Sequence, residues 1–213
     1  MAALAKLVIV GAGGFGREMV AWARQCVQFE REWTIKGLID DNPAALAGKN
    51  TPAPLLGNVQ DYQPSADEVF ICAMGIPAVK RRCCELLLSR GARFTRLIHR
   101  TAVLGDNVEL GEGVVLCPYT VLSANNRLGL GVAINLHSSV DHDACVGDWS
   151  QVYCHCDLTG AVHVGREVFI GSSVSIIPGI SVGDGAYIGA GSVVLRNVPS
   201  GAKVFGVPAR QKE

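Results

Sequence analysis

The segment Val140-Asp141-His142-Asp143-Ala144-Cys145 places a histidine between two carboxylates. An imidazole titrates near neutrality, so it can take a proton from an attacking amine or hydroxyl group. Adjacent side chains do not in general bond to each other, but at a tight corner of the chain His142 and Asp143 can turn the same way. His142 is therefore the leading candidate for a general base among the five histidines. An exposed polar corner without catalytic function is the alternative.

A glycine loop near the beginning of the chain could bind a phosphate group. The loop runs Gly11-Ala12-Gly13-Gly14-Phe15-Gly16, after the apolar run KLVIV and before the helical pattern REMVAWARQCVQF. In this order of strand, loop and helix, glycines let the backbone approach a phosphate, and the helix N-terminus offers free N–H groups. The next strand, WTIKGLID, ends at Asp40-Asp41, about where an acidic residue meets a ribose in dinucleotide folds. The alternative is that the glycines only form a tight turn.

Eight cysteines raise the question of a metal site or a thiol nucleophile, but their spacing supports neither. They include no C-x-x-C pair, and they lie in apolar or repeat positions. Cys154-x-Cys156 has poor spacing for a zinc site. We therefore expect the cysteines to be small buried hydrophobic residues, with Cys156 facing inward, and we expect no metal.

Aliphatic residues recur in the sequence with a strict period of six, and this period indicates which elements position His142. From Ile98 to Val194, every sixth residue is Leu, Ile or Val for seventeen consecutive positions. Neither an amphipathic helix nor an alternating strand keeps this period, whereas short stacked strands joined by fixed corners do. The fifth position of each hexad never holds a large or charged side chain, as an inward position requires. The sequence predicts an all-β parallel β-helix; an ordinary valine-rich sandwich would have irregular strand spacing.

The residues before the repeat predict a separate α/β domain that is small and Rossmann-like. A third strand, VFICAMG, ends at Gly75, and a helix from about Pro77 to Arg90 leads into a strand at 94–98. The proline-rich residues 43–68 are interpreted as a surface connection over the nucleotide. The domain is too short for the two-halved dinucleotide fold, so we do not expect a complete NAD site. The predicted domains are residues 1–95 and 96–213.

The charge balance argues against a nucleic-acid partner. Nineteen basic residues match nineteen acidic ones, and no Lys/Arg block with interleaved aromatics is present. No apolar stretch approaches the roughly 20 residues that span a bilayer, so we expect no membrane association. The N-terminal apolar run leads directly into the glycine loop and lacks a signal-peptide cleavage region, which favours a cytoplasmic location.

The hexad repeat and the closing segment Gly206-Val207-Pro208-Ala209-Arg210 together resemble the hexapeptide-repeat acyltransferases. With the glycine-loop domain before the repeat, the chain is similar to the sialic acid O-acetyltransferase and bacillosamine N-acetyltransferase group. The resemblance implies a left-handed β-helix with three hexads per turn, a homotrimer with active sites between subunits, and acetyl-CoA as co-substrate. In that group, a domain of the first type binds the nucleotide of a sugar nucleotide.

The resemblance also implies roles for particular residues. It makes His142 the general base and Asp143 the group that orients it, because the group carries His-Asp or His-Glu at this place. The N–H of Gly160 is expected to face the thioester oxygen. Phe15 departs from the histidine of some members, so the exact sugar specificity does not follow from the motif. The resemblance further implies that the coenzyme is contacted by Ser172 and Ala190. It implies that the nucleotide sugar is contacted by Gly11, Gly13, Gly14, Asp40, Asp41 and, near the base, Asn135.

The remaining histidines are weaker candidates for the chemistry. His137 and His155 are both fourth in their hexads and lie eighteen residues apart, so in a turn of three hexads they should stack directly. His99 and His163 are expected to be surface or packing residues.

These observations predict transfer of an acetyl group from acetyl-CoA to the amino group of a nucleotide-linked amino sugar, with a 4-amino sugar as the best fit. A hydroxyl of sialic acid or another sugar is the alternative acceptor. A γ-class carbonic anhydrase uses a similar prism, and His137 and His142 have its His-x4-His spacing, but its third ligand would fall on Thr101. A non-catalytic scaffold is a further alternative, because fold alone does not exclude it.

Overall fold

The computed structural model describes residues 4–212. The chain divides into two compact units, Met1–Arg100 and Thr101–Glu213. The first unit is a small Rossmann-like α/β domain and the second is a left-handed parallel β-helix, which confirms the predicted fold class. Neither helix within residues 4–212 combines the length and the apolar character needed to cross a membrane. The cytoplasmic location stays a prediction.

The first unit is built from four paired parallel strands and two helices. Its elements, in chain order, are β1 (Ala5–Val10), α1 (Gly14–Ala23), β2 (Trp33–Ile39), β3 (Leu55–Gly57), β4 (Glu68–Cys72), α2 (Pro77–Ser89) and β5 (Leu97–Ile98). The paired strands have the order β3-β2-β1-β4. The side chains of residues 7–10 in β1 are fully buried, as expected for a parallel strand that is covered on both faces.

The strand order reverses beside β1, because β2 pairs with one of its edges and β4 with the other. In open α/β sheets, ligands bind outside the carboxyl ends of the strands at such a point. The glycine loop follows β1, and residues 73–76 follow β4, so both segments lie at this end of the sheet. A Cβ built on Gly11 would lie 3.2 Å from the carbonyl oxygen of Ala73, so the two segments are in close contact. The topology therefore places a crevice at the glycine loop.

Two details of the first unit differ from the sequence-based prediction. The predicted surface connection at 43–68 contains the edge strand β3. Leu55 of β3 pairs with Leu38 of β2, so β3 extends the sheet beyond β2. The strand predicted at 94–98 is shorter, since Phe94 forms only an isolated parallel bridge with Phe70 and regular strand begins at Leu97. Both segments are too short to show a strand period in the sequence.

The second unit consists mainly of two-residue strands stacked in three sheets, which are parallel apart from the last strand. The first sheet contains β7 (Glu109–Leu110), β10 (Arg127–Leu128), β13 (Cys145–Val146), β16 (His163–Val164) and β19 (Ser181–Val182). The second contains β6 (Val103–Leu104), β9 (Val121–Leu122), β12 (Ser139–Val140), β15 (Asp157–Leu158), β18 (Ser175–Ile176) and β21 (Val193–Val194). The third includes β8 (Val115–Leu116), β11 (Ala133–Ile134), β14 (Gln151–Val152), β17 (Phe169–Ile170), β20 (Tyr187–Ile188), β22 (Lys203–Phe205) and the antiparallel β23 (Arg210–Gln211).

The period of six arises because each strand ends on an inward aliphatic residue. Val140 pairs with Leu122 on one side and with Leu158 on the other, eighteen residues away in each direction. All three side chains are fully buried. Three hexads therefore complete one turn, and the aliphatic positions of successive turns stack into a continuous core.

Backbone hydrogen bonds also stack the corners of successive turns. The Asp143 N–H donates to the Ala124 carbonyl at 2.9 Å, and the Ala161 N–H donates to the His142 carbonyl at 2.8 Å. We call this column the His142 corner; it comprises residues 124–125, 142–143, 160–161 and 178–179.

A second column of corners lies elsewhere on the same β-helix. The His155 N–H donates to the Leu136 carbonyl at 2.9 Å, and the Gly191 N–H donates to the Ser172 carbonyl at 2.8 Å. We call this column the His137 corner; it comprises residues 118–119, 136–137, 154–155, 172–173 and 190–191.

Candidate active site

His142 and Asp143 form a hydrogen-bonded pair at the His142 corner. Nδ1 of His142 lies 2.9 Å from Oδ2 of Asp143. Asp143 has a φ of +60°, in the left-handed region that Asp and Asn adopt more readily than most residues. When the Nδ1–H group donates a hydrogen bond to the carboxylate, Nε2 has a free lone pair and can accept a proton from a substrate. The pair therefore has the arrangement of a general base and the group that orients it.

The carboxylate of Asp143 is held from its other side by a ladder of amides. Nδ2 of Asn125 donates to Oδ1 of Asp143 at 2.9 Å, and Nδ2 of Asn107 donates to Oδ1 of Asn125 at 3.1 Å. The hydrogen bonds from His142 and then from Asn125 lower the pKa of the Asp143 carboxyl below its ordinary value. Asn125 was not predicted as part of the site, although the eighteen-residue spacing of Asn107, Asn125 and Asp143 is a signal present in the sequence.

Gly160 lies one turn beyond His142 and directly against its ring. A Cβ atom built on Gly160 would lie 2.6 Å from Nε2 of His142, closer than carbon and nitrogen atoms can approach. Within residues 4–212, no hydrogen-bond partner is found for the Gly160 N–H. The structure thus brings His142, Asp143 and Gly160 to one place, with a backbone donor beside the ring.

The other residues implied for the substrate and coenzyme lie at a different corner of the same chain. Ser172 and Ala190 occupy successive turns of the His137 corner. Asn135 directly precedes that corner; its side chain is buried, and its Oδ1 accepts a hydrogen bond from Sγ of Cys117 at 3.3 Å. A single chain therefore does not gather these three residues around His142.

The two acidic residues after β2 have different partners. The Ala12 N–H in the glycine loop donates to Oδ2 of Asp40 at 2.7 Å. The Asp41 carboxylate instead accepts the N–H groups of Val59 and Gln60, at 2.8 and 3.2 Å. Asp40 thus lies at the glycine loop, whereas Asp41 fixes the chain at 59–60.

The glycines of the loop divide into two open positions and two close-packed ones. No atom lies within 4 Å of a Cβ built on Gly13 or Gly14, and both glycines are exposed. A Cβ on Gly16, by contrast, would overlap the carbonyl oxygen of Gly11. Helix α1 has Gly13 as its N-cap, without a side-chain capping bond and without an acidic residue in its first turn. Its first N–H groups are therefore accessible to an anion.

Comparison with known proteins identifies both units. Residues 6–87 match the family described as PglD N-terminal domain, and residues 161–196 match the family described as bacterial transferase hexapeptide (six repeats). The chain is 30% identical over 212 residues to a GDP-perosamine N-acetyltransferase of Escherichia coli O157:H7, covering 95% of this chain and 94% of that protein. The chain belongs to the hexapeptide-repeat sugar acetyltransferases.

Solved structures from this acetyltransferase family match over the whole chain. PerB from Caulobacter crescentus, in complex with CoA and GDP-perosamine, is 28% identical with a TM-score of 0.86, and 99% of each chain is covered. The acetyltransferase domain of PglB from Neisseria gonorrhoeae FA1090, in complex with acetyl coenzyme A, is 26% identical with a TM-score of 0.89. That match covers 99% of this chain and 100% of the other. The predicted family is confirmed.

The His137 corner of this acetyltransferase carries a stack of rings. The ring centroids of Tyr119 and His137 are 4.9 Å apart, and those of His137 and His155 are 5.1 Å apart at an interplanar angle of 5°. This confirms the predicted stacking. Because the ring planes are parallel, the nitrogen lone pairs do not converge on one point. Within residues 4–212, no group of three or more His, Cys, Asp or Glu could hold a metal ion.

None of the eight cysteines of the acetyltransferase, all of which lie within residues 4–212, forms a disulfide bond, and six of them are buried. Cys156 faces the interior as predicted, and its Sγ donates to the Gly171 carbonyl at 3.0 Å. Burial raises the pKa of the Cys156 thiol to about 11. A thiol that stays protonated is a poor nucleophile, which agrees with a packing role.

Proposed function

We propose that this acetyltransferase moves the acetyl group of acetyl-CoA to the amino group of a nucleotide-linked amino sugar, with His142 as the general base. The observation that carries the proposal is the His142–Asp143 pair beside the Gly160 backbone. The open glycine loop of the first unit supports a nucleotide-linked acceptor rather than a free one. The GDP-perosamine N-acetyltransferase that the chain resembles has, by its name, an acceptor of this class.

The chemistry requires a base and a donor for negative charge. The amine lone pair attacks the thioester carbon, a C–N bond forms and the carbonyl oxygen becomes an oxyanion. Collapse of this intermediate breaks the C–S bond. The proton lost by the amine passes to Nε2 of His142 and from there to the leaving sulfur, so the products are an amide and the CoA thiol. Asp143 stabilises the transient imidazolium, and the Gly160 N–H donates to the oxyanion.

The first unit is proposed to bind the nucleotide. The diphosphate would accept the free N–H groups at Gly13 and Gly14, where the positive end of the α1 dipole also favours an anion. Gly11 allows the close contact of the loop with residues 73–76. Asp40 would face the ribose, and Asp41 would support this side of the crevice by ordering residues 59–60.

The site is proposed to be completed by a second copy of the chain in a homotrimer. Gly160 belongs to the His142 corner, while Ser172 and Ala190 belong to the His137 corner. If the His137 corner of one copy lay against the His142 corner of the next, Asn135 and the coenzyme residues would reach the base. Sedimentation equilibrium should therefore show a trimer. A monomer with full activity at nanomolar concentration would contradict this arrangement.

Replacing the base tests the catalytic part of the proposal. His142→Ala should lower kcat by roughly two to four orders of magnitude, because a general base acts on the transition state. Binding of CoA should be nearly unchanged. His163→Ala is the matched control, since His163 is exposed and its Nδ1 bonds to the Ala161 carbonyl at 2.9 Å. Retained turnover in His142→Ala would move the base to His137 or His155.

Comparing acceptors tests the substrate class. The turnover number for a nucleotide-linked 4-amino sugar should exceed that for the same amino sugar free in solution, because binding energy from the nucleotide holds the amine against the base. The measurement is kcat for both acceptors at saturating acetyl-CoA. Equal values, or a preference for free sialic acid, would contradict the proposed acceptor while leaving the catalytic role of His142 intact.

A further inference from the structure

The first unit contains a cavity at the opposite end of α1 from the glycine loop. Its volume is about 290 Å³. We call it the arginine cavity; its lining includes Arg24, Cys26, Val27, Phe29, Arg31 and Arg100. All of these residues belong to the first unit.

The three arginines of the cavity carry charges that no carboxylate balances. Within residues 4–212, Arg24, Arg31 and Arg100 form no ion pair, and all three are exposed at the rim. The nearest carboxylates in sequence, Glu30 and Glu32, are also exposed and do not line the cavity. Three guanidinium groups around one opening repel one another, and a bound anion would relieve that repulsion.

Beside the arginines, the lining of the cavity includes Cys26, Val27 and Phe29. Burial raises the pKa of the Cys26 thiol to about 12, so this residue adds no negative charge. Its Sγ donates to the Trp22 carbonyl in the last turn of α1 at 3.3 Å, and the same carbonyl accepts the Gln25 N–H at 2.8 Å. The ring of Phe29 packs edge to face on Trp33, with centroids 6.2 Å apart. A ligand with an apolar part next to its charge would therefore contact Val27 and Phe29 beside the arginines.

Backbone hydrogen bonds fix the two segments that carry the arginines. The Arg100 N–H donates to the Gln25 carbonyl at 3.3 Å, and the Val27 N–H donates to the Ile98 carbonyl at 3.4 Å. Only the side chains must therefore be ordered when an anion binds. The negative end of the α1 dipole, about half a charge, opposes binding here, but three full positive charges outweigh it.

The arginine cavity is separate from the proposed nucleotide site. Arg24 directly follows the last residue of α1, whereas the glycine loop includes its N-cap and its first residues. A ten-residue helix is about 15 Å long at 1.5 Å per residue, so one phosphate group cannot contact both ends.

We propose that the arginine cavity is a second binding site, for a diphosphate group. Guanidinium groups bind phosphate oxygens through paired, charge-assisted hydrogen bonds, and three of them match the two to three charges of a phosphomonoester or diphosphate. A free nucleotide and inorganic pyrophosphate both carry this group, and they differ in whether an organic part contacts Val27 and Phe29.

The test measures phosphate binding with the glycine loop disabled. Full-length Gly13→Val protein is titrated calorimetrically with inorganic phosphate, pyrophosphate and ADP. One equivalent of pyrophosphate and of ADP should still bind, and the affinity should fall as salt is raised. Tighter binding of ADP than of pyrophosphate would indicate a nucleotide, whereas equal affinities would indicate inorganic pyrophosphate.

A second substitution assigns this binding to the cavity. In the Gly13→Val background, Arg31→Gln should lower the affinity at least about tenfold, since it removes a charge-assisted contact. Arg93→Gln, which removes an exposed arginine elsewhere in the first unit, should leave it unchanged. Thermal unfolding of each variant checks the fold. Absence of binding in Gly13→Val protein, or equal affinity in the Arg31 and Arg93 variants, would overturn the proposal without affecting the proposed acetyl transfer.

Discussion

The ring of His142 lies against the backbone of Gly160, one turn further along the β-helix. A Cβ placed at Gly160 would lie 2.6 Å from Nε2 of His142, so the ring would have to move. The same position that leaves space for the ring also presents a backbone N–H beside it. One glycine therefore determines where the base can lie and provides the proposed donor to the oxyanion.

Replacing Gly160 by Ala should displace the ring and impair catalysis. The φ of Gly160 lies outside the left-handed region, so the methyl group of alanine would cause a steric clash with the ring and no backbone strain. A displacement of about 1 Å can cost on the order of a hundredfold in rate. We expect kcat to fall roughly 10- to 100-fold, measured with saturating acetyl-CoA and acceptor.

A double-mutant cycle separates this effect from a general loss of structure. In a His142→Ala background the ring is absent, so Gly160→Ala should cause little further loss of activity. Equal effects of Gly160→Ala with and without His142 would show that the glycine acts independently of the ring.

Asp143→Asn should also lower activity while preserving the corner. The asparagine can still accept the hydrogen bond from Asn125, but its Nδ2 would donate to Nδ1 of His142. The proton would then reside on Nε2, which could no longer accept one from the amine. We expect kcat to fall at least about tenfold with little change in KM, as for a group that acts through the base. Normal activity of Asp143→Asn across the pH range would mean that Asp143 has only a structural role, as the acceptor of the hydrogen bond from Asn125.

The hexad repeat made the fold predictable from the sequence, because each position of a hexad has one structural role. Val140, Leu158 and Ile176 all face inward and are buried, so the period alone predicts the β-helix. The bond between His142 and Asp143 is different, since it depends on the left-handed turn at Asp143. The sequence could favour that pair but not establish its geometry.

Contacts between distant segments were the least predictable part of the site. Asp40 and Asp41 follow the same strand, yet only Asp40 bonds to the glycine loop. Asp41 bonds to Val59 and Gln60, and this contact depends on how β3 leads into the following turn. A three-residue edge strand leaves no period in the sequence, so the different partners of the two carboxylates could not be foreseen.

The glycine loop offers a matched pair of substitutions. Gly13→Val should weaken binding of the nucleotide sugar at least about tenfold without destabilising the protein, because its Cβ meets no atom within 4 Å but would obstruct a phosphate. Gly16→Ala should instead destabilise the first unit by about 1–3 kcal/mol or more, since its methyl group would overlap the Gly11 carbonyl. Calorimetric titration measures binding and chemical denaturation measures stability. Unchanged affinity in Gly13→Val protein would mean that the loop is only a turn.

The buried carboxylate of Glu68 should make the stability of the first unit depend on pH. Its side chain is fully buried and accepts hydrogen bonds from the Tyr62 hydroxyl at 2.8 Å, from the Ser65 N–H at 2.9 Å and from Nζ of Lys36. Burial alone would raise the pKa of Glu68, but the hydrogen bonds from Lys36, Ser65 and Tyr62 outweigh it and lower that pKa below the ordinary value of 4.5.

The sign of the effect follows from this lowered pKa. As pH falls below about 4.5, the unfolded chain takes up a proton before the native carboxylate does. The stabilisation is therefore complete near neutrality and is lost as pH falls through the native pKa. Glu68→Gln should cost about 1.5–3 kcal/mol at pH near 7, the range for hydrogen bonds to a charged group, and less in acid. Asp67→Asn is the control, because its carboxylate is 54% exposed and its pair with Lys6 is screened by solvent. Denaturation of both variants near neutral pH and below pH of about 4 measures the difference; a cost for Glu68→Gln that does not shrink in acid would show that the charge of Glu68 is not what stabilises the fold.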